Sequence, residues 1–155
     1  MLDITEISTI IATAGVLAGV IYYIQVMRDQ AKTRHTDLVM RLYATYSSSE
    51  FQDAWTRVRK ISQVADTTRI DESNNKVINQ VCLFFEGVGI LLRRRIVDAT
   101  IIEDLFGGAV ERAWEYVRNQ IYLGRQEFND PTIYYYFEYL YNEMKNRRRR
   151  GVNSG

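Results

Sequence analysis

The sequence predicts an all-α protein, with one amino-terminal transmembrane helix that continues into a cytoplasmic bundle of about five or six helices. Three observations predict this class. An uncharged apolar run of membrane-spanning length lies near the amino terminus, and apolar residues recur at three- and four-residue spacing through most of the chain that follows. The 155 residues include a single proline, Pro131, and no Asn-Gly hairpin or alternating β-type run. Long helices can therefore run without interruption.

The predicted transmembrane helix covers residues 7–27, which carry no formal charge. As a helix this run would span roughly 31 Å at about 1.5 Å per residue, close to a hydrocarbon thickness of about 30 Å. We therefore predict a short extracytoplasmic amino terminus at residues 1–6 and the transmembrane helix at 7–27. A helical cytoplasmic domain follows at 28–146, and a basic flexible tail at 147–155.

The charges on either side of the run predict its orientation. Asp3 and Glu6 precede it, whereas Arg28, Lys32 and Arg34 follow it. A cleaved secretory signal has positive charge before its apolar region, which is the opposite arrangement. The positive-inside rule places the amino terminus outside the inner (plasma) membrane and the rest of the chain in the cytoplasm. A soluble core helix and a cleaved signal are the alternatives.

Small residues recur four apart within the predicted transmembrane helix. Gly15 and Gly19 form a GxxxG pattern, and Ala14 and Ala18 form a second pair. Small side chains let two helix backbones approach closely in lipid. We therefore predict membrane-helix packing through these four residues and a homo-oligomer.

Apolar spacing and turn residues place the helices that follow. Residues 31–46 continue a helical pattern, and Ser49 is the predicted amino-terminal cap of the next helix. The polar segment 65–76 reads as a loop, and a long apolar helix is predicted over residues 75–95.

Two further helix starts are predicted at aspartates. Asp98 caps a short helix that ends at Gly107–Gly108, after which a new apolar stripe runs from Val110 to Ile121. Asp130 caps the last helix, with Pro131 in its first turn.

Three segments carry a family resemblance: "TDLVMRLYATYSSSEFQDAW", "LFFEGVGILLRRRIVD" and "LFGGAVERAWEYVRNQI". In this order after one apolar run, they resemble an uncharacterised family of small bacterial and archaeal proteins with one membrane helix and a helical cytosolic domain. The resemblance covers residues from about Val16 to Arg125 and includes a Phe-Glu-x-x-Gly turn of helix. It implies an architecture and no catalytic residue.

The composition argues against several kinds of chemistry. His35 and Cys82 are the only histidine and cysteine, so neither a metal site, a cofactor site nor a nucleophilic triad is predicted. The chain has 20 basic and 19 acidic residues, and this nearly neutral balance does not favour a binder of duplex nucleic acid. We predict a non-enzymatic protein.

Basic residues form the predicted anionic contacts. They lie after the predicted membrane helix and near the ends of two later helices, where they would meet lipid headgroups or, less favoured, a nucleotide. These residues are Arg28, Lys32, Arg93, Arg94, Arg95, Arg147 and Arg148.

Glu86, Tyr135 and Tyr139 are the predicted interface residues. Glu86 lies between aromatic residues and glycines that permit close approach, and tyrosine is favoured in protein interfaces. The favoured function is a single-pass membrane protein whose cytoplasmic domain self-associates and binds a protein partner. The alternatives are a ligand-gated membrane effector that senses a small anionic signal, such as a cyclic oligonucleotide, and an accessory subunit of a membrane enzyme complex.

Overall fold

The computed structural model describes residues 19–27, 36–63 and 71–152. All regular structure in these residues is helical, and none of them forms a strand, so the all-α prediction is confirmed for the described part of the chain. The chain divides into two compact units, residues 1–40 and 41–155. In the first unit, residues 19–27 and 36–40 are helical. Residues 7–18 of the predicted transmembrane helix lie outside the described residues.

Four helices form the core of the second unit. They are α1 (Ser49–Ser62), α2 (Glu72–Arg93), α3 (Ala99–Glu127) and α4 (Tyr135–Val152). Helix α2 packs against each of the other three, and α3 also packs against α1 and α4. Ahead of α1, residues 41–47 are helical as well.

Aromatic side chains fill the centre of this bundle. The rings of Phe85 on α2 and Phe137 on α4 stack with centroids 5.1 Å apart, and Trp114 on α3 meets Phe137 edge-on at 5.2 Å. All three side chains are buried. Burial of each stabilises the fold by roughly 1.5–3 kcal/mol, and a well-oriented ring pair adds about 0.5–1.5 kcal/mol. Three helices are thereby joined at one point.

Side-chain caps begin the first three helices. The Ser48 hydroxyl accepts from Phe51 N–H, the Asp71 carboxylate from Asn74 N–H, and the Asp98 carboxylate from Thr100 N–H. The Asp98 prediction is confirmed, whereas the cap of α1 is Ser48 and not Ser49. Helix α2 begins at Glu72, three residues before the predicted start at residue 75 and within the predicted loop, because Asp71 caps it.

Gly107 and Gly108 do not end a helix, which corrects the prediction of two helices here. Helix α3 runs through them without a break, and neither glycine adopts a positive φ. Phe106, Ala109 and Val110 are all buried around the pair. Their packing outweighs the cost of about 1 kcal/mol per glycine in a helix interior.

Two non-glycine residues in the left-handed conformation end α2 and α3. Arg95 has φ 56° and Asn129 has φ 49°. After Arg95, the Ile96 N–H donates to the Leu91 carbonyl oxygen, and the Arg95 N–H donates to that of Leu92. These two bonds satisfy carbonyl groups that a helix end leaves without partners.

The last helix begins and ends later than predicted. Asp130 accepts from the Thr132 N–H at 2.8 Å, but residues 131–134 form turns and α4 begins at Tyr135. The predicted flexible tail at 147–155 is corrected for residues 147–152, because α4 runs to Val152, and residues 153–155 lie outside the described residues. Arg147 pairs with Glu103 at 2.7 Å and Arg148 with Glu111 at 3.0 Å, which holds this end of α4 against α3.

One helix among the described residues, α2, is long and apolar enough to cross a membrane by length and composition. Its most apolar window is 44% buried within the bundle, and the core helix of a bundle satisfies the same criterion. This finding therefore does not identify a membrane span.

The cap of α3 predicts an acid-sensitive contribution to stability. Hydrogen bonds from Thr100 lower the pKa of the Asp98 carboxyl below its ordinary value of 3.8. A carboxyl with a lowered pKa in the folded state stabilises the fold above its unfolded pKa, and this contribution is lost as the pH falls through the folded pKa. We expect Asp98→Asn to flatten the decrease in melting temperature below about pH 4, as followed by circular dichroism. An unchanged pH profile would contradict a folded-state role for this carboxylate.

Candidate functional site

The Phe-Glu-x-x-Gly turn of α2, residues 85–89, holds the start of α4. The Glu86 carboxylate accepts a hydrogen bond from the Phe137 N–H at 2.7 Å, and Glu86 is half-buried. Phe137 is the third residue of α4, where a backbone N–H has no acceptor within its own helix. Glu86 therefore caps α4 from a neighbouring helix.

Gly89, one turn after Phe85, lets the backbone of α4 approach α2. A Cβ atom added at Gly89 would overlap the carbonyl oxygen of Tyr136. Backbone contact this close requires a residue without a side chain. The glycine and the Glu86 carboxylate thus hold two successive residues, Tyr136 and Phe137.

Cys82 lies one turn before Glu86 and is fully buried. Burial, and secondly the charge of Glu86, raises the pKa of the Cys82 thiol above its ordinary range. The thiolate is the reactive form of cysteine, so this side chain is a poor nucleophile at neutral pH.

The side of α2 that lies opposite its core stripe carries an apolar strip, of which Leu83 is exposed and Gly87 and Ile90 are half-buried. Leu83, Gly87 and Ile90 recur four and three residues apart, which places them on one face of the helix. Leu83 is 62% exposed, and a Cβ atom added at Gly87 would meet nothing within 4 Å. We call these three residues the α2 strip.

Some of the basic residues predicted to contact an anion already bind other residues of the bundle. Arg147 donates to Glu103 at 2.7 Å and to Thr100 at 3.0 Å, and Arg148 pairs with Glu111. The Arg93 guanidinium lies 5.6 Å from the centre of the Tyr139 ring.

Arg94 and Arg95 are exposed at the end of α2. The neighbouring start of α3 already holds the Asp98 carboxylate as its cap, so an anion bound there would compete with that carboxylate. Arg28 and Lys32 lie outside the described residues.

The predicted interface residues do not all occupy one surface. Glu86 faces α4 of the same chain, where it binds Phe137 N–H. Tyr139 is half-buried beside Arg93, whereas Tyr135 is 53% exposed and meets the Tyr136 ring edge-on at 5.3 Å. Tyr135 is thus the predicted interface residue that presents most of its surface to solvent.

Of the residues predicted to pack the membrane helix, Ala14, Gly15 and Ala18 lie outside the described residues. Gly19 is helical, and a Cβ added there would meet nothing within 4 Å. Within the described ranges, no group of three or more histidine, cysteine, aspartate or glutamate side chains could hold a metal ion.

Sequence reasoning missed the α2 strip. Its signal is present in the sequence, since Leu83, Gly87 and Ile90 fall outside the core stripe yet carry no charge. An apolar helix face that lies opposite the core stripe is the pattern that would have identified it.

The fold is a small all-α bundle whose central helix is apolar on two sides. A family model described as a domain of unknown function, DUF4760, matches residues 9–144. The chain therefore belongs to this family, which confirms the predicted membership of an uncharacterised family. No curated protein matches the chain, and no solved structure matches it.

Two glycines test the contact between α2 and α4. Gly89→Ala should destabilise the fold by about 1–3 kcal/mol, because the new methyl group displaces the Tyr136 backbone. Gly124→Ala is the matched control, since Gly124 lies in the last turn of α3 and its Cβ would meet nothing within 4 Å. It should stabilise by about 0.5–1 kcal/mol through helix propensity. Chemical denaturation measures both, and equal effects of the two substitutions would contradict the close approach.

Proposed function

We propose that the chain is a non-enzymatic, single-pass membrane protein whose cytoplasmic bundle self-associates through the α2 strip. The observation that carries the proposal is this apolar face on the central helix of the bundle, on which Leu83 is exposed and Gly87 and Ile90 are half-buried. Exposed apolar residues on one helix face mark a surface for another helix. A glycine in the middle of the strip permits two helices to approach closely.

The amino-terminal residues support the membrane anchor. The side chains of Val20, Ile21, Tyr22, Tyr23 and Ile24, which belong to the predicted transmembrane helix, are 48–69% exposed. Such a run needs an apolar surrounding, and lipid supplies it. In the proposed orientation, Arg28 and Lys32 would follow the membrane helix on the cytoplasmic side and contact acidic headgroups.

A second copy of the chain is the proposed occupant of the α2 strip. Anchoring confines the chains to one plane with their domains on the same side, and this raises their effective concentration. Two anchored copies can pair about an axis along the membrane normal, so that the same surface of each faces the other. The small residues from Ala14 to Gly19 would allow the membrane helices to pair about the same axis. A dimer that pairs through both the α2 strips and the membrane helices would then present Tyr135 to a protein partner.

The environments of the cysteine and of three carboxylates support the proposal that the protein is not an enzyme. The Cys82 thiol is buried beside Glu86 with its pKa raised, which disfavours thiolate chemistry. The carboxylates of Glu86, Asp71 and Asp98 each bind a helix amino terminus. A structural role as helix caps therefore explains the positions of these three carboxylates.

Oxidative cross-linking in membranes tests the self-association. Gly87→Cys introduces an accessible thiol into a chain whose own cysteine is buried. A disulfide between copies needs Cα atoms about 4.4–6.8 Å apart, which helices in contact at a glycine reach. We expect the Gly87→Cys chain to form a covalent dimer on mild oxidation, as seen by non-reducing electrophoresis.

Gly124→Cys is the matched control, because Gly124 is also helical and equally open to a new side chain. It should remain monomeric under the same oxidation. Equal cross-linking of the two variants, or none of Gly87→Cys, would contradict a contact at the α2 strip. Recovery of the chain in the soluble fraction after lysis would contradict the anchor independently.

A further inference from the structure

A cleft opens at the end of the bundle, between the amino-terminal half of α2, the carboxyl-terminal end of α3 and the 128–134 turn. Its volume is about 1050 Å³. Small-molecule sites commonly enclose about 300–1000 Å³ and combine apolar walls with a few polar groups. The cleft has this composition and lies away from the α2 strip residues, none of which lines it.

Carboxamides supply much of the polar lining. Asn75 and Asn79 contribute from α2 and Gln126 from α3. A carboxamide offers both a donor and an acceptor, and it pairs well with a partner that presents the complementary two atoms side by side. Among the residues that the structure describes, no lysine or arginine lines the cleft, and Glu127 is the one charged residue that does. An anionic group would therefore meet a carboxylate and no cation.

Aromatic and apolar side chains supply the remaining walls. Phe128, at the end of α3, lines the cleft and is 70% exposed, an unusual state for a large apolar ring. Leu123, five residues earlier, also lines the cleft and is exposed. A planar ring can stack on an exposed aromatic side chain, and such stacking stabilises a complex. The walls thus suit a flat ligand.

Tyr134 is held in a strained conformation at the cleft wall. Its φ of 52° lies in the left-handed region, which is unfavourable for a bulky residue. Its hydroxyl donates to the Asn79 side-chain oxygen at 3.1 Å, so one cleft residue orients another. This bond leaves the Asn79 amide NH₂ as a donor of fixed direction. Strain that persists at a cleft is characteristic of functional sites.

We infer that this cleft binds an uncharged planar heterocycle with adjacent hydrogen-bond donors and acceptors, namely a nucleobase or nucleoside. The carboxamides of Asn75 and Asn79 contact the edge of the base, and Phe128 contacts its face. A 5′-phosphate should add no affinity, because no lysine or arginine among the described residues lines the cleft. The inference does not depend on self-association or on the membrane anchor.

Equilibrium titration of the full chain in detergent with adenosine, guanosine, cytidine and uridine tests this inference. We expect saturable binding of at least one nucleoside, and its 5′-monophosphate should bind no more tightly. Asn75→Leu and Phe128→Ala should each weaken that binding by about tenfold or more, because one removes the edge contact and the other the face contact. Both residues are exposed, so the variants should fold; circular dichroism checks this, and Gln126→Leu serves as a further cleft variant.

Asn142→Leu is the matched control, since Asn142 is an exposed carboxamide on α4 that does not line the cleft. It should change the affinity less than twofold. Absence of binding for all four nucleosides at millimolar concentration would overturn the inference. So would equal weakening by Asn142→Leu, or a monophosphate that binds much more tightly than its nucleoside.

Discussion

The Glu86 carboxylate, which accepts the Phe137 backbone N–H, is the interaction on which the bundle depends. Helices α1, α2 and α3 begin with caps supplied by the residue just before them, whereas α4 receives this carboxylate from α2, 51 residues earlier in the chain. Phe137 then stacks on Phe85 and meets Trp114, so the bond fixes the residue that joins three helices. A hydrogen bond to a charged acceptor contributes about 1.5–3 kcal/mol, a large part of the stability of a domain of this size.

This single contact also organises the two surfaces to which we assign functions. Helix α4 binds α2 at Glu86 and Gly89, whereas Leu83 on the α2 strip stays exposed and Gly87 and Ile90 are half-buried. The chain that leads into α4 must turn sharply at Tyr134, and that turn forms one wall of the cleft. Self-association and ligand binding would therefore occupy different parts of the same central helix.

The sequence predicted the helical class and one local cap, but it placed the start of three helices one to four residues away from where the structure has them. Apolar spacing located the helices, and the local cap at Asp98 was correct because its partner lies two residues away. The continuity of α3 through Gly107–Gly108 could not be predicted, since it depends on packing from other helices. The sequence indicated that Glu86 and its glycines permit a close approach, but not that α4 of the same chain makes it. The cleft was missed because carboxamides distant in sequence converge only in the fold.

Amide hydrogen exchange at Phe137, resolved by NMR on the full chain in detergent, tests the central claim most directly. In Glu86→Ala this amide should exchange at least about tenfold faster, the factor that corresponds to about 1.4 kcal/mol, because its acceptor is gone. Glu115→Ala is the matched control, since Glu115 binds the Tyr141 hydroxyl of α4 and no backbone amide of that helix's first turn. That variant should leave Phe137 exchange unchanged. Equal exchange rates at Phe137 in the wild type and Glu86→Ala would contradict the account.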